Sequence, residues 1–165
     1  MALRADARRN LARVLEVAGE CFAERGLDVS VDEIARRAGV GHGTVFRHFP
    51  TKDALVAAVL REQLREVVAV ARDALERPDP GPAFEEFFRH IAASYEQNRC
   101  LIEGVELVAG IPEKEELVAA VRELVARAQA AGALRSDVSA DDVLVLVPTA
   151  ARFPEIVLDG LRGRK

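Results

Sequence analysis

Residues 40–55, VGHGTVFRHFPTKDAL, crowd two histidines, an arginine, a lysine and two threonines into sixteen positions. Side chains of these types can hold a metal, move protons, activate a hydroxyl or grip a phosphate. Spacing separates these chemistries. His42 and His48 lie six apart, which on a helix sets them on opposite sides, whereas a shared ion needs i, i+4. No cysteine or nearby carboxylate completes a ligand set, so no metal is expected. Thr44 has His48 one turn later, but no acid orients that histidine and nothing supplies an oxyanion hole. Gly41 and Gly43 do not form a phosphate-cradling loop, because no strand precedes them. No catalytic constellation and no cofactor site results, and the chemistry that uses most of these residues is recognition of nucleic acid.

The elements around the cluster fit that use. Residues 5–25 carry Leu11, Leu15, Ala18 and Phe22 at helical spacing, with Val14, Val17 and Cys21 widening the stripe, and Gly26 ends the helix. Ser30-Val31-Asp32-Glu33 has the form of a capping box. It opens a short helix over 31–38, which Gly39 closes. A second short helix follows at about 42–48, so two short helices flank a glycine-bearing turn: a helix-turn-helix. Phe49-Pro50-Thr51 breaks the chain again, and Thr51 can cap a long helix over 52–76.

On the second helix of such a motif, the N-terminal positions face base edges in a major groove about 12 Å wide. Gly41 and Gly43 keep the helix thin there. His42, Thr44 and Arg47 offer donors to bases and phosphates, and His48 and Lys52 fall on the flanks where phosphates run. Free N–H groups at the helix starts near Ser30, Thr51 and Lys52 add neutral phosphate contacts. Val45 and Phe49 are read as core, packed on the first helix.

Beyond the linker RPDPGP, residues 77–82, the pattern stays helical, with segments at 83–97, 100–110, 112–131, 139–147 and 153–162. The fold class is all-α: a three-helix head with a helix-turn-helix over 1–51, and a helical body over 52–165. The charge is uneven. Residues 1–52 hold nine Lys/Arg against seven Asp/Glu, a balance of +2, and residues 53–165 hold fourteen against twenty, a balance of −6. A basic head on an acidic body suits a protein whose head alone meets a polyanion. No apolar run approaches the roughly 20 residues that span a bilayer, and the N-terminus lacks the apolar centre of a signal peptide. Cys21 and Cys100 are too few for a disulfide framework. They read as reduced core thiols, and the protein as cytoplasmic.

The segment FAERGLDVSVDEIARRAGVGHGTVFRHFPTKDALVAAVL, residues 22–60, resembles the DNA-binding head of the TetR family of bacterial transcriptional regulators. RAQAAGALRSDVSADDV, residues 127–143, resembles the stretch before the last two helices of many members. The resemblance implies a homodimeric repressor on a roughly palindromic operator in double-stranded DNA, released by a small-molecule effector and not an enzyme. It places DNA contacts at Ser30, His42, Gly43, Thr44, Arg47, His48 and Lys52. Many members carry Tyr where this chain has Phe46, so that hydroxyl contact to a phosphate is lost and Phe46 keeps only packing or van der Waals contact with the backbone. One neutral hydrogen bond is worth about 0.5–1.5 kcal/mol net, so binding survives its loss.

Effector-pocket candidates in the body are Phe84, Phe87, Phe88, Ile91, Tyr95, Asn98, Leu101 and Glu106, with His90, Glu103 and Leu107 nearby; each apolar one is also a candidate for ordinary core. So few aromatics favour a small or aliphatic effector. Glu86 and His90, at i, i+4, read as a surface pair. The resemblance implies a dimer interface on the last two helices, at Val143, Leu144, Leu146, Val147, Ile156, Val157 and Leu161, with the monomer's own core as the alternative for each. Pro148 and Pro154 stand six apart, which makes the penultimate helix look short; since members of the family commonly have a longer one, the resemblance implies a trimmed helix or missing residues between about 147 and 153. Two further readings stay open: an enzyme that acquired a helix-turn-helix, and an interaction module with a vestigial head.

Overall fold

The segments with a helical stripe form helices wherever the structure describes them, and most of the expected segment at 100–110 lies outside the described residues. A computed structural model describes residues 2–103 and 112–163, and among these there are eight α-helices and no strand. They are α1 (Ala2–Arg25), α2 (Val31–Ala38), α3 (His42–His48), α4 (Lys52–Leu75), α5 (Pro80–Glu103), α6 (Pro112–Ala130), α7 (Ala140–Arg152) and α8 (Pro154–Leu161). A single 3-10 turn at Gly26–Asp28 follows α1. The chain is all-α, as its periodicity implies.

Two compact units part inside α4. The first runs to Glu62 and takes in the end of α5 from Asn98; the second takes Gln63–Gln97 and the chain from α6 on. The first unit is built on Val14, Val17, Ala18, Cys21 and Phe22 of α1, which meet Ile34, Ala35 and Ala38 of α2, Val45 of α3, and Leu55, Val56 and Val59 of α4. Cys21 is a buried thiol whose pKa burial raises, with Arg37 beside it working the other way. The side chain of Cys100 lies outside the described residues.

The second unit gathers Val67, Val68 and Ala71 of α4, Phe84, Phe87 and Phe88 of α5, Val121, Leu124 and Val125 of α6, and Val143, Val147, Ala150, Leu158 and Leu161 of α7 and α8. The predicted break between 97 and 100 is absent, since α5 runs unbroken from Pro80 to Glu103. The penultimate helix is also longer than expected. It continues through Pro148 to Arg152. Val143, Val147 and Ala150 keep one face buried past the proline, while Pro148 itself sits on the exposed side. Burial on one face there outweighs the single backbone bond that proline removes. Ser139 caps this helix with a complete capping box, in which Asp142 returns the bond to the Ser139 N–H at 2.8 Å.

The end of the chain is fastened by a short antiparallel bridge between Leu134 and Arg162, with the Arg135 N–H donating to the Leu161 oxygen at 3.0 Å. Alongside it, Arg162 reaches Glu85 at 2.8 Å and Arg89 reaches Glu155 at 2.7 Å, so ion pairs join α5 to α8. The bond from Arg162, helped by Arg89, holds the Glu85 carboxyl below its ordinary value of 4.5 against partial burial. Arg89 does the same for Glu155. A lowered carboxylate pKa stabilises the fold above the unfolded value and loses that contribution as pH falls through the folded one. The thermal unfolding midpoint, followed by circular dichroism, is therefore expected to fall as pH drops below about 4.5. Glu85→Gln is expected to lower the midpoint near neutrality and to flatten this acid limb.

Candidate nucleic-acid interface

The turn between α2 and α3 is set by one glycine. Gly39 has φ +70°, the left-handed region, and closes α2 with two reverse bonds. Its N–H donates to the Arg36 oxygen at 3.2 Å and the Val40 N–H to the Ala35 oxygen at 3.0 Å, the pattern of a Schellman motif. Arg13 of α1 donates through Nε to the Ala38 carbonyl oxygen at 3.2 Å. Arg37 of α2 pairs with Glu24 of α1 at 2.8 Å. Together these tie the turn to the helix beneath it.

At the start of α2 the expected capping box forms only by half. The Glu33 N–H donates to Ser30 Oγ at 3.2 Å. The Glu33 carboxylate pairs instead with Arg25, across the end of α1. Ser30 itself is exposed.

Helix α3 has two faces. Val45 is 1% exposed and Phe49, its C-cap, is buried in the same core. The other face holds His42, Gly43, Arg47 and His48, all exposed, with Thr44 and Phe46 half-buried at its edges. A side chain placed on Gly43 would meet nothing within 4 Å, and its φ is not in the left-handed region. Nothing inside the fold therefore demands glycine there. His42 Nδ1 is hydrogen-bonded to the Asp32 carboxylate of α2, and its ring stacks on Phe46 with centroids 4.4 Å apart. A groove of about 280 Å³ borders the Arg47 and His48 flank and is walled by Asn10, Leu11 and Val14 of α1. Asp32 and Phe46 as partners of His42 were not anticipated from sequence, because the three residues come together only once the turn has folded.

Helix α4 begins on Thr51, whose Oγ1 accepts from the Ala54 N–H at 3.1 Å. Lys52, expected on the flank, is half-buried, and its ammonium donates to the Leu27 carbonyl oxygen.

In the second unit the structure places Phe84, Phe87 and Phe88 deep in the core, with the rings of Phe84 and Phe88 stacked at 5.9 Å. Ile91 is buried with them and Tyr95 packs half-buried against them. Asn98 is half-buried and belongs to the first unit. The side chains of Leu101 and Glu103 lie outside the described residues, as do Glu106 and Leu107 altogether. Glu86 pairs with Arg77 rather than with His90, which is exposed. A surface recess of about 510 Å³, unforeseen from sequence, is lined by Glu85, Glu86, Arg89 and Arg162 beside Gly81 and Gly163. Of the expected interface residues, Val143, Val147 and Leu161 are buried in their own core. Among the described residues the exposed large apolar side chains are Ile156, at 72%, and two that the pattern missed, Val145 at 76% and Phe153. Helix α7 turns Val145 outward because Val143 and Val147 turn inward. Among the described residues no cluster of His, Cys, Asp and Glu fits a metal, and no helix is long and apolar enough to cross a membrane.

Comparison with known proteins gives the site a context. Residues 14–59 match the family model described as bacterial regulatory proteins, tetR family. Residues 79–162 match that of the SbtR-like transcriptional regulator C-terminal domain. The chain is 32% identical over 163 residues to the HTH-type transcriptional repressor Rv1474c of Mycobacterium tuberculosis, covering 92% of this chain and 80% of that one. It is similar to the crystal structure of a TetR transcription regulatory protein from Mycobacterium vanbaalenii, with TM-score 0.78 and 44% identity over 97% of this chain and 99% of the other. It is also similar to the TetR regulator SCO0520 of Streptomyces coelicolor, with TM-score 0.68 and 30% identity over 93% and 99% of the two chains.

The two glycines of the motif should behave oppositely. Gly39→Ala forces a β-carbon into the left-handed region and is expected to cost about 1–2 kcal/mol. Gly43→Ala, in a helix and in open space, is expected to stabilise by roughly 0.5–1 kcal/mol. Urea titration of the two variants checks both.

Proposed function

The chain belongs to the TetR family of bacterial transcriptional regulators, and on that premise we propose that it is a homodimeric repressor that a small effector releases from a roughly palindromic operator. It is a DNA-binding regulator and not an enzyme. In this reading the DNA-binding domain is 1–51 and the effector and dimerisation domain is 52–165, and the protein works in the cytoplasm. The observation that carries the reading is Gly43: an exposed helical glycine with no internal neighbour within 4 Å, on the face that also bears His42, Arg47 and His48. Such a position weakens the isolated helix and is useful where something outside must approach the backbone closely.

Arg47 and His48 supply charge-assisted bonds to phosphates and base edges, Thr44 adds a hydroxyl, and Gly43 lets the helix sink into the groove. Phe46 offers van der Waals contact only. Ser30 and the first turn of α4 meet phosphates through backbone N–H groups, and Lys52 joins them by exchanging the Leu27 carbonyl for a phosphate. Dimerisation through α7 and α8 is supported by Val145, Phe153 and Ile156, which leave apolar area in water unless a partner covers it. The effector is assigned to the body beside α5, where Tyr95 is the half-buried edge of an aromatic face whose Phe84, Phe87, Phe88 and Ile91 are core, so that its entry requires this core to open. It acts by binding one conformation of the body better than another, and α4, which begins in the first unit and ends in the second, carries the difference.

Gel retardation with the DNA upstream of the protein's own gene tests the core of this. Wild-type protein is expected to bind with an affinity that falls steeply as salt rises. Arg47→Ala should weaken binding about tenfold or more and make the salt slope shallower by about one unit. Gly43→Ala should weaken binding while leaving the fold at least as stable. Unchanged affinity in both variants would remove α3 from the interface. For the dimer, Ile156→Glu with Val145→Glu is expected to halve the mass seen by light scattering, and an unchanged mass would place the interface elsewhere.

A further inference from the structure

His42 is restrained more tightly than an exposed surface histidine needs to be. Its ring lies on Phe46 at 4.4 Å with 30° between the planes, and its Nδ1 is bonded to the Asp32 carboxylate on the neighbouring helix. The pair is open to solvent, with the His42 side chain 58% exposed and Asp32 more so. Exposed pairs of this kind add little to stability. Its consequence is orientation. An ionised carboxylate only accepts hydrogen bonds, so Nδ1 must carry the ring hydrogen. In the neutral imidazole Nε2 is then bare, and among the described contacts it has no protein partner.

His42 opens α3, the position from which the second helix of a helix-turn-helix addresses base edges. In the major groove adenine and cytosine present an exocyclic amine, whereas guanine and thymine present O6 and O4 as acceptors. Resting on the DNA-binding reading above, we propose that Asp32 is a positioning residue for sequence readout: it fixes the His42 tautomer, so that Nε2 accepts from an adenine or cytosine amine and disfavours guanine and thymine. Phe46 is the platform that holds the ring in register. A tyrosine hydroxyl at 46 would serve a phosphate, and the phenyl ring found here serves His42 instead. Asp32 needs no contact with DNA to do this, and its own negative charge opposes phosphate binding in general.

Two readouts test the proposal. In the free full-length protein, a long-range proton–nitrogen spectrum of the histidine rings should show His42 with its hydrogen on Nδ1, and Asp32→Ala should move it to Nε2. A wild-type ring carrying hydrogen on Nε2 overturns the proposal. Selection of the full chain against a pool of randomised duplexes then gives the relative affinity for each base at each position. One position is expected to favour A or C by about fivefold, the worth of a single hydrogen bond near 1 kcal/mol. Asp32→Asn and Asp32→Ala should bring that position alone close to parity. His42→Ala should do the same, and combining it with Asp32→Ala should change that position no further. A uniform rise in affinity for all sequences in Asp32→Ala, with base preferences intact, would make Asp32 a purely electrostatic neighbour and overturn the proposal. If the wild-type chain retains no DNA from the pool, the DNA-binding reading fails and takes this proposal with it.

Discussion

The burial of Val45 and Phe49 in the first unit is the contact on which the interface depends. A helix of seven residues cannot sustain itself in water, because nucleation is unfavourable and too few bonds follow it. α3 persists because one face is packed among Phe22, Ile34, Ala38 and Leu55. That packing also decides which residues stay outside. With Val45 inward, His42, Gly43, Arg47 and His48 are presented together on the surface. The proposed division between reading and anchoring follows from helical geometry once that one face is fixed.

The turn that delivers α3 is held by means of different strengths. Gly39 supplies a backbone shape that other residues reach only under strain, and the Schellman bonds and the Arg13 contact satisfy carbonyls at the end of α2. The ion pairs of Arg37 with Glu24 and Arg25 with Glu33 lie near the surface, where solvent screening makes each worth little alone. They set angles more than they add stability. Apolar packing holds the head together, and the polar contacts aim it.

The head was largely legible in the sequence because its signals are local. Gly26, Ser30, Gly39 and Thr51 punctuate the chain, and the buried residues recur at helical spacing. Less legible were contacts that need the tertiary structure. The choice of Arg25 over the Ser30 N–H as partner of Glu33 depends on where α1 ends. The tether of Lys52 to Leu27, and the grouping of Asp32, His42 and Phe46, likewise join residues that the turn alone brings close. In the body, local signals misled at Pro148. A proline rule predicts an end, but a helix with Val143, Val147 and Ala150 buried on one side can continue past it. The same stripe takes Val143 and Val147 of the expected interface residues into the unit's own core. Val145 and Ile156 were left outside.

The central claim is that α3 and the helix starts beside it form the surface that meets DNA. Amide hydrogen exchange of the full chain, with and without the upstream duplex, addresses it most directly. The account expects added protection over 30–33, 42–48 and 51–54, with the exposed edge of α7 and α8 unchanged by DNA. Protection confined to the body, or none in α3 under conditions where the duplex is bound, would contradict it.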